Sequence, residues 1–239
     1  MLISHSHKFI FIKSPKSGGT SVERLLQHLC VPSGETVPNK TPALETECGV
    51  VGFRGRLGDE PVQPKWYHHQ TGQEIHDQVP PDLWRGYFKF SVVRNPFSRI
   101  LSQFLFRLRV NKEDEQGFDV LLQRFDAFLD EFPVRTQETM FKVNGAWCLD
   151  FAIRFEDFAS DVDTALSRIG APALSAELAH LKPGNDRLAG SPVADFFNTA
   201  RTRKFLDLER SAFEQFRYST DPADAGLIGQ NSSMIGAAQ

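Results

Sequence analysis

KFIFIKSPKSGGTSVERLLQHL, residues 8–29, is the stretch whose reading decides the fold. Phe9 to Ile12 is a short run of large apolar residues with β-branched members, the pattern of a strand buried on both faces of a parallel sheet. From Val22 the period changes: Val22, Leu25, Leu26 and Leu29 recur at helical spacing, so a helix packs one face back against that strand. Between the two, Gly18 and Gly19 permit backbone conformations that converge successive N–H groups on one point, and the helix N-terminus adds its partial positive charge. The turn therefore reads as an anion cradle. Lys16 reaches the anion as a point charge, and the hydroxyls of Ser17, Thr20 and Ser21 are further donors. The plainer alternative is an ordinary strand-to-helix turn with Thr20 or Ser21 as N-cap.

Working outward, 239 residues suit one large domain or a domain with a small appendage. The boundaries expected are a single domain over residues 1–220, with a loop insertion at about 31–64, and a flexible tail over 221–239. A hydrophobic fraction of 41%, with 21 Phe against 3 Tyr, indicates a core filled largely by phenylalanine. A formal charge of −3 argues against a general nucleic-acid binder, so a cationic site has to be local. Cys30, Cys48 and Cys148 lack the paired spacing of a zinc site or a disulfide framework. No stretch reads as a signal peptide or a membrane span, and a cytoplasmic protein is expected.

The region from Val31 to Pro64 is rich in Pro, Gly and Thr without sustained periodicity, and reads as a long loop. Arg54 and Arg56 within it can bind an acidic acceptor, although a solvated surface role is the ordinary one for loop arginines. His68 and His69 precede a helix expected from about Thr71 to Val79, where Thr71 and Glu74 fit a capping box. Surface or packing use is the ordinary role of adjacent histidines. Tyr87 to Val93 reads as a second buried strand, ending in Arg94-Asn95-Pro96, with Asn95 as N-cap and Pro96 at the first helical position. Phe97, Ile100, Leu101, Phe104, Leu105 and Leu108 then mark an amphipathic helix. Arg94 thus sits at a strand's carboxyl end, where open α/β sheets place ligands, and Ser102 lies two turns along on the polar side.

A third helix is expected from Asp119 to Phe132, with Leu122, Phe125, Phe128, Leu129 and Phe132 as its buried stripe. Leu149 to Phe155 reads as a further strand, followed by Glu156, Asp157 and a helix to Ile169 that Gly170 stops. A polar loop, residues 180–190, carries Lys182 and Arg187 and precedes a long helical region starting at Ser191-Pro192.

The pattern GxxxxGK[ST] is absent: the lysine precedes the glycine pair, and the second strand ends in an arginine, not in an aspartate placed for magnesium. Two anion sites on one parallel sheet call for a ligand with two separated anionic ends, and 3′-phosphoadenosine 5′-phosphosulfate is such a ligand. A small-molecule or nucleotide kinase on the same fold is the second reading. The third is a nucleotide- or glycan-binding relative without catalysis.

IKSPKSGGTS followed by FSVVRNPFSRILSQF resembles the paired signature of the sulfotransferases, in particular the branch of heparan sulfate 2-O- and related carbohydrate sulfotransferases with its many bacterial members. A looser similarity runs through YHHQTGQEI and IRFEDF, over residues 8–218. The resemblance implies an α/β fold, a three-layer sandwich with a central parallel sheet, of the sulfotransferase type related to P-loop nucleotide hydrolases. It places Lys16, Ser17, Gly18, Gly19, Thr20 and Ser21 around the 5′-phosphosulfate, with Lys13 assisting. Arg94 and Ser102 fall on the 3′-phosphate, and Lys182 and Arg187 on a late loop that closes over the cofactor. The reaction implied is a metal-independent in-line sulfuryl transfer to a hydroxyl of a carbohydrate or glycoconjugate, leaving adenosine 3′,5′-bisphosphate. His69 resembles the family's histidine base, with His68 in reserve and Glu74 and Glu60 still open. Relatives acting on secreted glycans carry a membrane anchor before the domain, whereas this sequence starts close to its first strand; a bacterial cytoplasmic enzyme is the expectation.

Overall fold

The computed structural model describes residues 1–55, 64–113, 117–131, 135–174, 188 and 190–228. The chain opens with β1 (Leu2–Ser4), β2 (Phe9–Phe11), α1 (Gly19–Leu26), β3 (Leu44–Thr46) and β4 (Gly49–Val51). Next come α2 (Gly72–His76), α3 (Pro81–Gly86), β5 (Phe88–Val93), α4 (Pro96–Val110), α5 (Phe118–Glu131) and α6 (Gln137–Phe141). The small strands β6 (Lys142–Val143) and β7 (Ala146–Trp147), then β8 (Phe151–Arg154), α7 (Phe158–Arg168) and α8 (Thr199–Phe216) complete the order. The described residues fall into two compact units interleaved along the chain. The first draws on Met1–Val92, Thr139–Ile153 and Ala159–Leu181, and the second on Val93–Glu138, Arg154–Phe158 and Lys182–Gln239.

The first unit is built on a sheet whose described strands run in the order β3-β4-β1-β2-β5-β8. Phe9, Ile10 and Phe11 are fully buried, as a strand covered on both faces must be. They pair in parallel with β5, Phe9 opposite Phe88 and Phe11 opposite Phe90. The Phe90 ring lies 5.7 Å from that of Phe9 and 5.4 Å from that of Phe11. Parallel pairing thus holds between the two strands that lead into the basic motifs. The sheet as a whole is mixed: β1 is antiparallel to both β2 and β4, and β3 is antiparallel to β4.

The β3–β4 hairpin lies inside the stretch from Val31 to Pro64 expected as loop. Strands of three residues are too short for an alternating pattern to show, and β4, in the middle, is buried at every position. A Cβ at Gly49 would lie 2.0 Å from the Ile3 carbonyl oxygen, so glycine is required for β4 to approach β1. The capping box on α2 forms as its sequence indicates: the Glu74 N–H donates to Thr71 Oγ1, and the Thr71 N–H donates to Glu74 Oε2 at 2.8 Å.

In the second unit α4, α5 and α8 close on a phenylalanine cluster. Phe97, Phe104, Phe125, Phe196, Phe205 and Phe213 are all buried there. The Phe97 ring sits 4.7 Å from Phe197 and 4.9 Å from Phe213. On α5 the fully buried leucine is Leu121, with Leu122 and Leu129 at the margin and Phe132 outside the described residues. The helical region expected from Ser191 is split, a 3-10 turn at Val193–Phe196 preceding α8, because Asn198 caps α8 by accepting from the Arg201 N–H at 2.9 Å. Part of the segment expected as tail is ordered: the Ile228 N–H donates to the Ser191 carbonyl at 2.9 Å and its side chain is buried. Residues 229–239 lie outside the described residues.

Truncating Phe97 leaves a cavity where three other rings converge. Phe97→Ala is expected to lower unfolding free energy by about 3–5 kcal/mol, measured by urea denaturation. A loss below about 1 kcal/mol would show that the cluster collapses around the gap.

Candidate functional site

The turn after β2 is assembled from backbone geometry that few residues adopt. Lys16 has φ 60 and Gly18 φ 88, both in the left-handed region, which is ordinary for glycine and costly for lysine. Gly18 is the N-cap of α1 and offers no side chain, and α1 has no acidic residue in its first turn, so the positive end of the helix is not neutralised locally. At Gly19 a Cβ would meet Lys13 Cγ at 3.3 Å and Phe11 Cζ at 3.5 Å, which keeps the turn close against the strand. Ser17 is buried and its hydroxyl donates to the Ser14 carbonyl at 3.1 Å, while Ser21 is half-buried and Thr20 exposed. Ser14 Oγ is buried without a hydrogen-bond partner, an orphaned donor at the mouth of the loop. A phosphate or sulfate oxygen is the chemistry this set of donors fits.

Lys13, expected to assist from the strand end, gives its ammonium to Glu23 at 2.7 Å. Glu23 also lies 3.3 Å from Arg54 Nε and 3.3 Å from the Met1 amino nitrogen, whose basicity burial lowers to about 5. Burial by itself raises the Glu23 carboxyl, and the surrounding cations outweigh it and hold the group below its usual range. Burial likewise lowers Lys13, against the pull of Glu23. The surface role expected for Arg54 is overturned: the residue is 9% exposed, and its Nη1 donates to Gln27 Oε1 at 2.6 Å. Arg56 and Glu60 lie outside the described residues.

The two histidines come to the same turn. His69 Nδ1 lies 3.0 Å from the Lys13 carbonyl oxygen, and a carbonyl only accepts, so this nitrogen carries the proton and Nε2 the lone pair. His68 Nδ1 is bound in the same way to the Phe53 carbonyl at 2.9 Å, and the two rings meet edge to face at 4.4 Å. Burial, then the neighbouring His68, pushes His69 down to about 3, so it is a neutral imidazole throughout the physiological range. Glu74, the other described carboxylate considered as base, is occupied by the capping box and by the Tyr67 hydroxyl.

In the second unit, Arg94 is 7% exposed, and its Nε donates to Ser98 Oγ at 2.8 Å while the guanidinium lies 4.4 Å over the Phe155 ring. Ser98 and Ser102 lie four residues apart on α4, so their two hydroxyls share one face of that helix. The adjacent Asn95 N–H donates to Glu156 Oε1 at 2.8 Å, and Glu156 Oε2 accepts from the Tyr218 hydroxyl at 2.9 Å. Lys182 and Arg187 lie outside the described residues.

Sequence reasoning missed Glu23, Ser98, Gln137 and Glu209. Glu23 and Glu209 had a signal, since each occupies a position on the buried stripe of its helix, Glu23 three residues before Leu26 and Glu209 four after Phe205. Gln137 had none. Among the described residues no group of His, Cys, Asp and Glu could hold a metal, and no helix is long and apolar enough to cross a membrane. A family model described as "Sulfotransferase family" matches residues 1–183. No curated protein and no solved structure matches the chain.

The depressed basicity of His69 has a consequence for stability. An unfolded chain takes up this proton near pH 6.5 and the folded one only near pH 3, so the unfolded state gains protons in between. The contribution of His69 is complete above pH 6.5 and is lost as pH falls through that window. His69→Asn, which offers an N–H to the Lys13 carbonyl but does not titrate, is expected to lose stability less steeply than the parent on acidification, followed by urea midpoints. Parallel curves would contradict the buried, neutral placement of the ring.

Proposed function

The chain belongs to the sulfotransferase family, and we propose that it moves the sulfuryl group of 3′-phosphoadenosine 5′-phosphosulfate to a hydroxyl of a carbohydrate or glycoconjugate, leaving adenosine 3′,5′-bisphosphate and using no metal. The observation that carries this reading is the turn from Lys16 to Gly19, where two left-handed residues lead into a helix start with no side-chain cap. We treat residues 1–220 as one catalytic domain and place the enzyme in the bacterial cytoplasm.

The bound donor supplies an electrophilic sulfur and a phosphate leaving group; the remaining tasks fall to the chain. Lys16 and the N–H groups at Gly18 to Thr20 stabilise charge developing on the leaving oxygen, with the hydroxyls of Thr20 and Ser21 as further donors. The Ser17 hydroxyl, expected as a donor, is committed to the Ser14 carbonyl and holds the turn instead, as the Ser21 N–H holds the helix start. Because two side-chain cations, Lys13 and Arg54, face the one Glu23 carboxylate, the cluster that holds Lys13 still presents net positive charge to an anion. Arg94 and Ser102 take the 3′-phosphate; Lys182 and Arg187, outside the described residues, are assigned to the same nucleotide on the family resemblance alone. His69 Nε2 accepts the proton of the acceptor hydroxyl, its ring held by the Lys13 carbonyl. An anion arriving nearby favours the imidazolium and raises the basicity that burial had lowered. His68 is the reserve base.

Calorimetry with adenosine 3′,5′-bisphosphate tests the nucleotide, and no heat at millimolar ligand would end the proposal. Lys16→Ala and Arg94→Ala are expected to weaken binding by about tenfold or more, as loss of a charge-assisted contact does. His69→Ala should leave that affinity within about twofold and slow transfer to a carbohydrate acceptor by about 10² to 10⁴-fold. Unchanged turnover would remove His69 from the role of base.

A further inference from the structure

Arg99, Gln137 and Glu209 are each fully buried in the second unit, and their hydrogen bonds lead to one place. The Gln137 side chain spans both polar groups of the Arg94 main chain: its Nε2 donates to the Arg94 carbonyl at 3.1 Å, and its Oε1 accepts from the Arg94 N–H at 3.4 Å. A side-chain amide thus pairs with this peptide as a neighbouring strand would. The main chain of Gln137 is fixed in turn, its N–H donating to Glu209 Oε2 at 3.2 Å. The other oxygen of Glu209 takes Arg99 Nη2, and Arg99 Nη1 donates to the Arg135 carbonyl at 3.0 Å.

Burying an amide and an ion pair together costs desolvation energy that apolar side chains of similar volume would not incur. Gln137 pairs two buried main-chain groups that an apolar side chain would leave unsatisfied, whereas the Arg99–Glu209 pair behind it adds little net stability. What the network does accomplish is local. With the Arg94 main chain clamped, its Nε on Ser98 and its guanidinium on the Phe155 ring, the side chain has little freedom left. A ligand that needs this arginine in one place meets it already ordered.

Resting on the assignment of Arg94 to the 3′-phosphate, we infer that Gln137 is a positioning residue for nucleotide discrimination: it fixes the Arg94 main chain so that the guanidinium selects a 3′-phosphorylated adenosine over one with a free 3′-hydroxyl, and the Arg99–Glu209 pair holds Gln137 in place for that task. Gln137 touches no ligand atom in this role; it acts through Arg94.

The test compares two nucleotides on the full chain. Affinities for adenosine 3′,5′-bisphosphate and adenosine 5′-phosphate are measured by calorimetry, the weaker by competition, for the parent, Gln137→Met, Arg94→Ala and the double variant. Gln137→Met keeps the volume and removes both hydrogen bonds. It is expected to reduce the preference for the bisphosphate by about tenfold while leaving 5′-phosphate affinity within about twofold, as misalignment of one charge-assisted contact requires. In the Arg94→Ala background the same change should reduce the preference no further, because the two residues act as one unit. Gln137→Asn draws the amide back by one methylene and carries the same expectation should the methionine variant not fold. Parallel weakening of both nucleotides, or an unaltered preference, overturns the inference and leaves Gln137 a residue of the fold alone. A parent protein with no preference for the bisphosphate overturns the assignment of Arg94 itself, and this inference with it. Bisphosphate preference in the parent together with an unaltered preference in both Gln137 variants overturns only the inference.

Discussion

Parallel pairing of Phe9–Phe11 with Phe88–Phe90 is the constraint on which the rest of the structure depends. Two parallel neighbours cannot be joined by a tight turn; the chain has to cross over and return, and here the crossover occupies the residues between Phe11 and Phe88. That detour holds the anion cradle, α1, the β3–β4 hairpin and the histidine pair. Because the strands run the same way, their carboxyl ends lie along the same edge of the sheet, the edge at which open α/β sheets bind ligands. Lys13 and Lys16 follow β2 within a few residues. The antiparallel strands β1, β3 and β4 extend the sheet on the far side of β2 without altering that relation.

Behind each basic motif stands a buried carboxylate. Glu23 gathers Lys13 and Arg54 in the first unit, and Glu209 holds Arg99 and the Gln137 main chain in the second. Buried ion pairs add little net stability, because desolvation offsets most of the Coulombic gain; removing one partner nevertheless costs about 3–5 kcal/mol, since a charge is left uncompensated. Such pairs are therefore expensive to disturb without being efficient as glue. Their value lies in direction: a cation with a buried partner keeps one rotamer, and the backbone next to it inherits the constraint.

What could be read from the sequence depended on how local the cause was. The strand–turn–helix unit, the Thr71–Glu74 capping box and the Asn95-Pro96 start of α4 are each set by residues within a few positions of one another, and each formed where expected. The β3–β4 hairpin was not legible, since three-residue strands carry no period and are stabilised by a partner, β1, more than 40 positions away. The break before α8 follows from Asn198, a cap that a continuous helical reading passes over. At the site, Lys16, His69 and Arg94 announce themselves by residue type and position. Arg54 looks like an ordinary loop arginine until Glu23, 31 positions earlier, is found against it. Gln137 is the limiting case, because an amide on a short helix has no periodic or charge signature and its role exists only through contacts with residues 43 and 72 positions away.

Two features of the turn after β2 are unfavourable in themselves, and both point the same way. Lys16 holds a left-handed backbone that a lysine adopts at a cost, and His69 has lost most of its basicity to burial. Neither helps the fold. An anion bound in the turn, as proposed, would offset the first through contacts made to the strained backbone and reverse part of the second by favouring the imidazolium. Under the proposed assignment the binding energy of the donor would be coupled to the state of the base, and proton transfer from an acceptor would become easier once the donor is in place. An ordering of this kind needs no moving lid. It would follow from placing a buried neutral histidine, tethered through Lys13, next to a positively charged loop, and it gives a physical reason for the hydrogen bond between a ring nitrogen and the Lys13 carbonyl, three residues before Lys16.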